Sequence, residues 1–226
     1  MALEQLAHEL GANGYAVLHG VLCAQECRAL HALYDDRACF RSRVVMARHG
    51  FGRGEYQYFS YPLPPLVEEI RRTLYPMLAP LANDWSQKLK LAARYPSTLD
   101  AFLRECHAAG QSRPTPLLLK YTQGDYNRLH QDLYGAAQFP IQGTVLLSEP
   151  GRDFTGGEFV LVESAPRMQS KAEVVPLALG DMVVFAVNVR PVPSVRGVKR
   201  VALRHGVARL RSGNRLTLGV IFHDAA

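Results

Sequence analysis

The chain has little of what would announce a secreted or membrane protein. Among its 226 residues there are four cysteines, Cys23, Cys27, Cys39 and Cys106, all in the first half. Its opening residues, MALEQLAHEL, carry no basic cluster ahead of an apolar stretch, so they do not read as a secretory signal. A disulfide framework is therefore not expected. The thiols read as reduced and the cytoplasm is the default compartment. No apolar run reaches the roughly 18 residues needed to span a bilayer, so no membrane role is expected. Tryptophan occurs once, at Trp85, which is expected to fill a helical layer. Charged residues make up 20% against 48% hydrophobic, an ordinary balance for a globular protein. Acidic residues are outnumbered 20 to 26, which leaves a net charge of +6. That excess suits nucleic acid or another anionic partner, and equally suits solubility alone.

One cysteine motif invites a metal and fails on geometry. Cys23, Cys27 and His31 are spaced C-x3-C-x3-H. The surrounding pattern is helical, and positions i and i+8 lie ~12 Å apart at 1.5 Å per residue. One zinc ion does not bridge that span.

The composition shifts near residue 114. Before it, helical spacing dominates: LEQLAHEL, AQECRALHALYDD (24–36), and a long run from PPLVEEIRRTL to NDWSQKL. Pro76 and Pro80 are expected to kink or divide that run. STLDAFLRECHAAG reads as a helix with a Ser97-x-x-Asp100 capping box, closing on Gly110. GYAVLHGVL (14–22) reads as a strand. After residue 114 short β-branched and aliphatic runs take over: TPLLLKY, IQGTVLLSE, GEFVLVE, EVVPLA, DMVVFAV, RVALRHGV and RLTLGVIF. Turn signals at 123–125, 156–157, 180–181 and 212–214 separate them. Seven or eight such strands suggest a sandwich or jelly-roll barrel. The chain is thus expected to be mainly β with α. Residues 1–113 form a mostly helical part packing on a core of residues 114–226, in one folded unit.

The chemistry begins at YNRLHQDLYG (126–135). His130 and Asp132 are two apart, and in an extended segment both side chains share a face. Two histidines and one carboxylate with open positions form the facial triad of non-haem Fe(II) oxygen chemistry. The missing histidine is His205 or His223. His223, near the chain end, is expected to be exposed, which favours His205. The final strand supports that choice. Its alternation puts Arg215, Thr217, Gly219 and Ile221 on one face and Leu216, Leu218, Val220 and Phe222 on the other. A buried arginine beside a threonine needs an anionic partner, and a carboxylate held by the guanidinium and the Thr217 hydroxyl satisfies it.

H-x-D at 130–132, a distal His205 and an arginine ten residues later resemble the Fe(II)/2-oxoglutarate-dependent dioxygenases. LKYTQGDYNRLHQD resembles the start of their core in both the prolyl hydroxylases and the alkylated-DNA repair dioxygenases. TGGEFVLVE and LGDMVVFAV resemble its middle strands. The resemblance covers roughly residues 114–224. It implies a double-stranded β-helix (jelly-roll) core flanked by N-terminal helices. It also implies Fe(II) on His130, Asp132 and His205, 2-oxoglutarate on Arg215 and Thr217, and O2 as oxidant. Tyr121 matches a tyrosine that contacts the cosubstrate in the DNA-repair branch. Leu119 stands where that branch has an asparagine, and the spacing from His205 to Arg215 is closer to the prolyl hydroxylases. The implied reaction is C–H hydroxylation coupled to decarboxylation of 2-oxoglutarate to succinate. On an N-methyl group it would release formaldehyde.

The substrate is less legible. Residues 37–59 hold Arg37, Arg41, Arg43, Arg48 and Arg53 with interleaved aromatics, a pattern suited to nucleotide stacking and phosphate contact. The same pattern fits a solvated basic loop flanked by core aromatics. Tyr56 and Tyr58 share a face if extended, and with Tyr134 and Arg53 they are the candidate substrate residues. A second basic run, RGVKR (196–200), with Arg204, is expected near His205. Three functions stay open: oxidative demethylation of alkylated nucleobases; hydroxylation of prolyl, amino-acid, peptide or small-metabolite substrates; and a non-catalytic ligand-binding β-helix module.

Overall fold

The computed structural model describes residues 3–195 and 197–226. In chain order it runs α1 (Leu3–Asn13), β1 (Tyr15–Leu18), α2 (Ala24–Ala32), β2 (Phe40–Val45), β3 (Gly52–Arg53), β4 (Glu55–Phe59), α3 (Pro65–Lys88) and α4 (Leu99–Ala108). The strand-rich part follows: β5 (Leu117–Thr122), β6 (Tyr126–His130), β7 (Ile141–Leu146), β8 (Phe154–Gly156), β9 (Phe159–Ser164) and β10 (Lys171–Val175). It continues with β11 (Met182–Ala186), β12 (Val189–Ser194), β13 (Gly197–Val207) and β14 (Leu210–Val220).

The strands form the double-stranded β-helix expected. The larger sheet has the order β1-β11-β7-β14-β5-β4-β2, with β8 also on β14. The smaller has the order β10-β9-β13-β6-β3, with β12 on β13. The strand-to-strand pairings are antiparallel, as hairpin-linked strands require. The sheets face one another, with Phe159 and Phe185 in contact across the gap at 5.0 Å. β14 has the alternation its sequence announces. Leu216, Leu218, Val220 and Phe222 join the helix-side core, and Arg215, Thr217, Gly219 and Ile221 face a cavity between the sheets. Three strands from before residue 114, β1, β2 and β4, are hydrogen-bonded into the larger sheet.

Three local expectations need correction. First, α3 is one 24-residue helix that Pro76 and Pro80 do not divide. Val67, Ile70, Leu74, Leu78, Ala82 and Trp85 recur at helical spacing on its buried face. Both prolines lie on the exposed face, where the carbonyls they leave without a donor are open to water. Second, the cap of α4 is Thr98, whose Oγ1 accepts from the Ala101 N–H at 3.3 Å. Asp100 is drawn instead into an ion pair with Arg72. Third, residues 37–59 are mostly strand, because β2 and β4 pair and extend the sheet beside β5. One further strand, β12, contains Pro191 and Pro193. It pairs only with β13, and an edge tolerates missing donors.

His223 is the clearest reversal. It is 1% exposed, and Asp224 is fully buried. The chain end is pinned rather than free. Arg113 and Ala225 pair through their backbones, Thr115 Oγ1 donates to the His223 carbonyl, and the Phe139 N–H donates to His223 Nδ1 at 3.2 Å. Among the described residues no helix is long and apolar enough to cross a membrane.

Candidate active site

His130 and His205 meet because their strands are neighbours. β6 and β13 pair with His130 directly opposite His205, and the two rings lie 4.2 Å apart. Asp132 follows the end of β6, where the chain leaves the ladder and turns its carboxylate back between the histidines. Asp132 Oδ1 is 3.4 Å from His130 Nε2, and Oδ2 is 3.3 Å from His205 Nε2. The three ligand atoms lie within 4.8 Å of one another, the one such cluster among the described residues. The C-x3-C-x3-H run forms no cluster: Cys23 is exposed and Cys27 is buried. Two imidazoles and one carboxylate suit a divalent transition metal, and Fe(II) fits this donor set.

The electrostatics match ligands held ready. Burial pushes the Asp132 carboxyl up, yet its hydrogen bonds with His130 and His205 outweigh this and hold it well below the usual carboxylate range. Burial lowers His205 below its ordinary value despite Asp132 beside it, which favours the neutral imidazole a metal needs. Burial also works to lower His130, but the nearby carboxylate raises it. His130 Nδ1 is oriented by the Arg128 carbonyl at 2.7 Å. The His205 ring packs against Phe185 at 4.6 Å and Phe159 at 6.0 Å.

The cavity extends from this cluster toward β14 with a volume of about 370 Å³. Arg215 and Thr217 line its far end, both 2% exposed. Tyr121 stands directly across from Arg215 on β5 and is fully buried. Gly157 makes room for this group, since a Cβ there would meet Leu210 and sit 3.1 Å from Arg215 Cδ. Burial lowers the Arg215 guanidinium to about 10, so it stays a cation at neutral pH. Among the described residues its Nε and Nη1 have no hydrogen-bond partner, and neither does the Tyr121 hydroxyl. Unmatched buried donors around a cation are the imprint of an anion. Arg215 and the triad residues His130, Asp132 and His205 line this same cavity.

Part of the cavity wall is aromatic. Tyr56, Tyr58, Tyr134 and Phe51 line the cavity. Tyr56 and Tyr58 meet edge-on at 5.4 Å, and the Tyr58 hydroxyl lies 3.2 Å from that of Tyr134. Arg53 does not belong here. It is exposed on β3, and the neighbouring Phe51 reaches the cavity instead. Arg43 is tied to Glu55, whereas Arg41 donates to the Pro114 carbonyl and lies 4.5 Å over the Tyr58 ring. Of the run 196–200, Arg196 lies outside the described residues. Lys199, Arg200 and Arg204 sit on β13 without lining the cavity. Gln131 is not turned to solvent as its position between two inward residues suggests. Its amide donates to Asn188 Oδ1 at 2.9 Å and to the Leu203 carbonyl at 2.7 Å, lacing the segment to β13.

Sequence reasoning missed Gln142, Thr144 and Asn127, all on the cavity wall. Gln142 had a signal, being a lone amide within an aliphatic strand.

The fold is that of the 2OG-Fe(II) oxygenases. A Pseudomonas putida prolyl-4-hydroxylase superimposes with a TM-score of 0.57 at 17% identity, covering 100% of both chains. A Burkholderia pseudomallei oxidoreductase of the 2OG-Fe(II) oxygenase family gives 0.56 at 17% identity, over 100% of this chain and 94% of that one. HygX from Streptomyces hygroscopicus, solved with nickel and 2-oxoglutarate bound, gives 0.53 at 16%, over 97% and 87%. Within that class, residues 54–225 match a family described as "Oxygenase, catalysing oxidative methylation of damaged DNA", and the chain belongs to it. Two Mycobacterium tuberculosis proteins, both described as uncharacterized, are 48% identical over 168 residues, 74% of this chain and 72% of theirs.

Proposed function

We propose that the protein is an Fe(II)- and 2-oxoglutarate-dependent dioxygenase that oxidises alkyl groups on nucleobases. His130, Asp132 and His205 hold the iron. Arg215 takes the distal carboxylate of 2-oxoglutarate, with Thr217 and Tyr121 beside it. With O2, the bound iron and cosubstrate supply C–H hydroxylation coupled to release of CO2 and succinate. An N-methyl group so hydroxylated breaks down to formaldehyde and the free amine. The protein's own part is to orient and to exclude water: the closed Arg215 end sets the cosubstrate's direction, and the aromatic end shields the reacting carbon.

The observation that carries this reading is Arg215. A buried guanidinium with two nitrogens lacking a hydrogen-bond partner among the described residues lines the same cavity as a two-histidine, one-carboxylate cluster, and packing over Tyr121 and Phe154 does not satisfy those donors. For the substrate, the support is the family description together with the cavity wall. Three tyrosines and Phe51 offer flat surfaces for a base. Among the described residues, the wall's only carboxylate is Asp132, and Arg128 on the wall is in no salt bridge. That favours an anionic, aromatic substrate.

Anaerobic addition of Fe(II) and 2-oxoglutarate is expected to give a weak visible charge-transfer band, and aerobic turnover to give succinate. Absence of both overturns the enzyme reading. Formaldehyde release from methylated oligonucleotides tests the substrate. Silence across every lesion type, with a gain of 16 Da on peptides or amino acids, reassigns the enzyme to amino-acid hydroxylation.

A further inference from the structure

Gln142 is a buried amide that the proposed chemistry leaves without a role. It is 5% exposed on β7, whose other residues are Ile141, Gly143, Thr144, Val145 and Leu146. Its Nε2 lies 2.7 Å from Asp132 Oδ2 and 3.4 Å from His205 Nε2. Its Oε1 is buried with no partner. The amide's orientation is forced, since the oxygen in place of the nitrogen would face a carboxylate oxygen at 2.7 Å. The other oxygen of the same carboxylate is matched on its far side: Tyr134 donates to Asp132 Oδ1 at 2.9 Å. Tyr58 in turn lies within hydrogen-bond distance of Tyr134.

We propose that Gln142 and Tyr134 are positioning residues that clamp the Asp132 carboxylate, one neutral donor on each oxygen. The proposal rests on the metal reading of the triad. Asp132 stands on an irregular segment after β6, so its backbone does not hold it in the way that strands hold the two histidines. A carboxylate with a donor on each oxygen cannot rotate about its last bond without losing one. Its plane is thereby kept across the two imidazoles, with Oδ1 beside His130 and Oδ2 beside His205. Partners of this kind set metal affinity without touching the metal. The unpartnered Oε1 sharpens the point. A buried acceptor left without a donor weakens the fold, and an aliphatic side chain at 142 would avoid that cost. Gln142 is thus poorly explained by stability and well explained by the ligand it holds.

The test compares the wild type with Gln142→Leu, Gln142→Met and Tyr134→Phe. Co(II) serves as the metal probe, titrated anaerobically and followed by its visible absorption and by calorimetry. Wild-type protein is expected to bind one Co(II). Each variant is expected to bind about tenfold more weakly, with an altered Co(II) spectrum. The melting temperature of the metal-free Gln142→Leu and Gln142→Met proteins is expected to stay level or rise. Affinities within twofold of wild type overturn the clamp. So does a fall in metal-free melting temperature that parallels the loss of affinity, because that is a packing role. Wild-type protein that folds but takes up no Co(II) overturns the metal reading itself, a different outcome from wild-type binding with unchanged variants.

Discussion

Arg71 and Arg215 are both buried arginines, 0% and 2% exposed, and they could hardly be treated more differently. Every side-chain nitrogen of Arg71 on α3 has a partner. Its Nε donates to the Ile221 carbonyl at 2.9 Å, and Nη2 to the Phe222 carbonyl and Asp224 Oδ1, both at 2.8 Å. Its Nη1 donates to the Tyr61 hydroxyl at 3.1 Å. Arg215 is six residues short of where that network begins on the same chain segment, yet two of its nitrogens have no hydrogen-bond partner among the described residues. The fold completes the first arginine and leaves the second for a ligand to complete. Burial alone therefore does not mark a functional arginine; unmet hydrogen-bonding capacity does.

The comparison can be broken in order of expected size. Asp224→Ala strips the carboxylate from Arg71 and is expected to cost about 3–5 kcal/mol of stability, read by urea denaturation. A loss under 1 kcal/mol would mean that the carbonyls and Tyr61 suffice. Next comes pH. Burial, with Arg71 nearby, lowers His223 to about 4 from an ordinary 6.5. Between those values the unfolded chain binds the proton and the folded one does not. Stability contributed by neutral His223 is thus fully present above about pH 6.5, falls as pH drops toward 4, and levels off below. The total is about 3 kcal/mol at 1.36 kcal/mol per unit. His223→Gln is expected to flatten that part of the curve, and an unchanged slope would place the effect elsewhere.

Arg215→Met is expected to raise KM for 2-oxoglutarate about 100-fold, equivalent to about 2.7 kcal/mol. The cosubstrate-free protein should melt no lower, because the guanidinium is in no salt bridge among the described residues and two of its nitrogens lack a hydrogen-bond partner. A drop like that of Asp224→Ala would erase the contrast between the two arginines. Thr217→Val tests the smallest part. Losing one hydroxyl beside the guanidinium is expected to cost about 1 kcal/mol, or roughly fivefold in KM, with little change in melting temperature.

Much of the site was legible because it follows short-range rules. His130 and Asp132 are two apart, and the β14 alternation puts Arg215 and Thr217 on one face. The tyrosines at 56 and 58 came from the same period of two. Gln142 escaped because what marks it is the carboxylate beside it, contributed by a different segment. His223 was misjudged because proximity to a chain end says nothing about what packs over it. Arg53 is exposed on β3 and is not among the residues lining the cavity, because a basic run does not tell which of its members face inward.

By itself the sequence determined the reaction class: residue types at local spacing, on strands whose period is intrinsic to the backbone, specify a metal-and-carboxylate chemistry. The tertiary structure alone decided which groups were already satisfied. It set His205 opposite His130, closed the network around Arg71, left Arg215 open, and brought Gln142 and Tyr134 onto either side of Asp132. Hydrogen-bond capacity is a property of each residue, but its fulfilment depends on neighbours far away in the chain, and only folding supplies them.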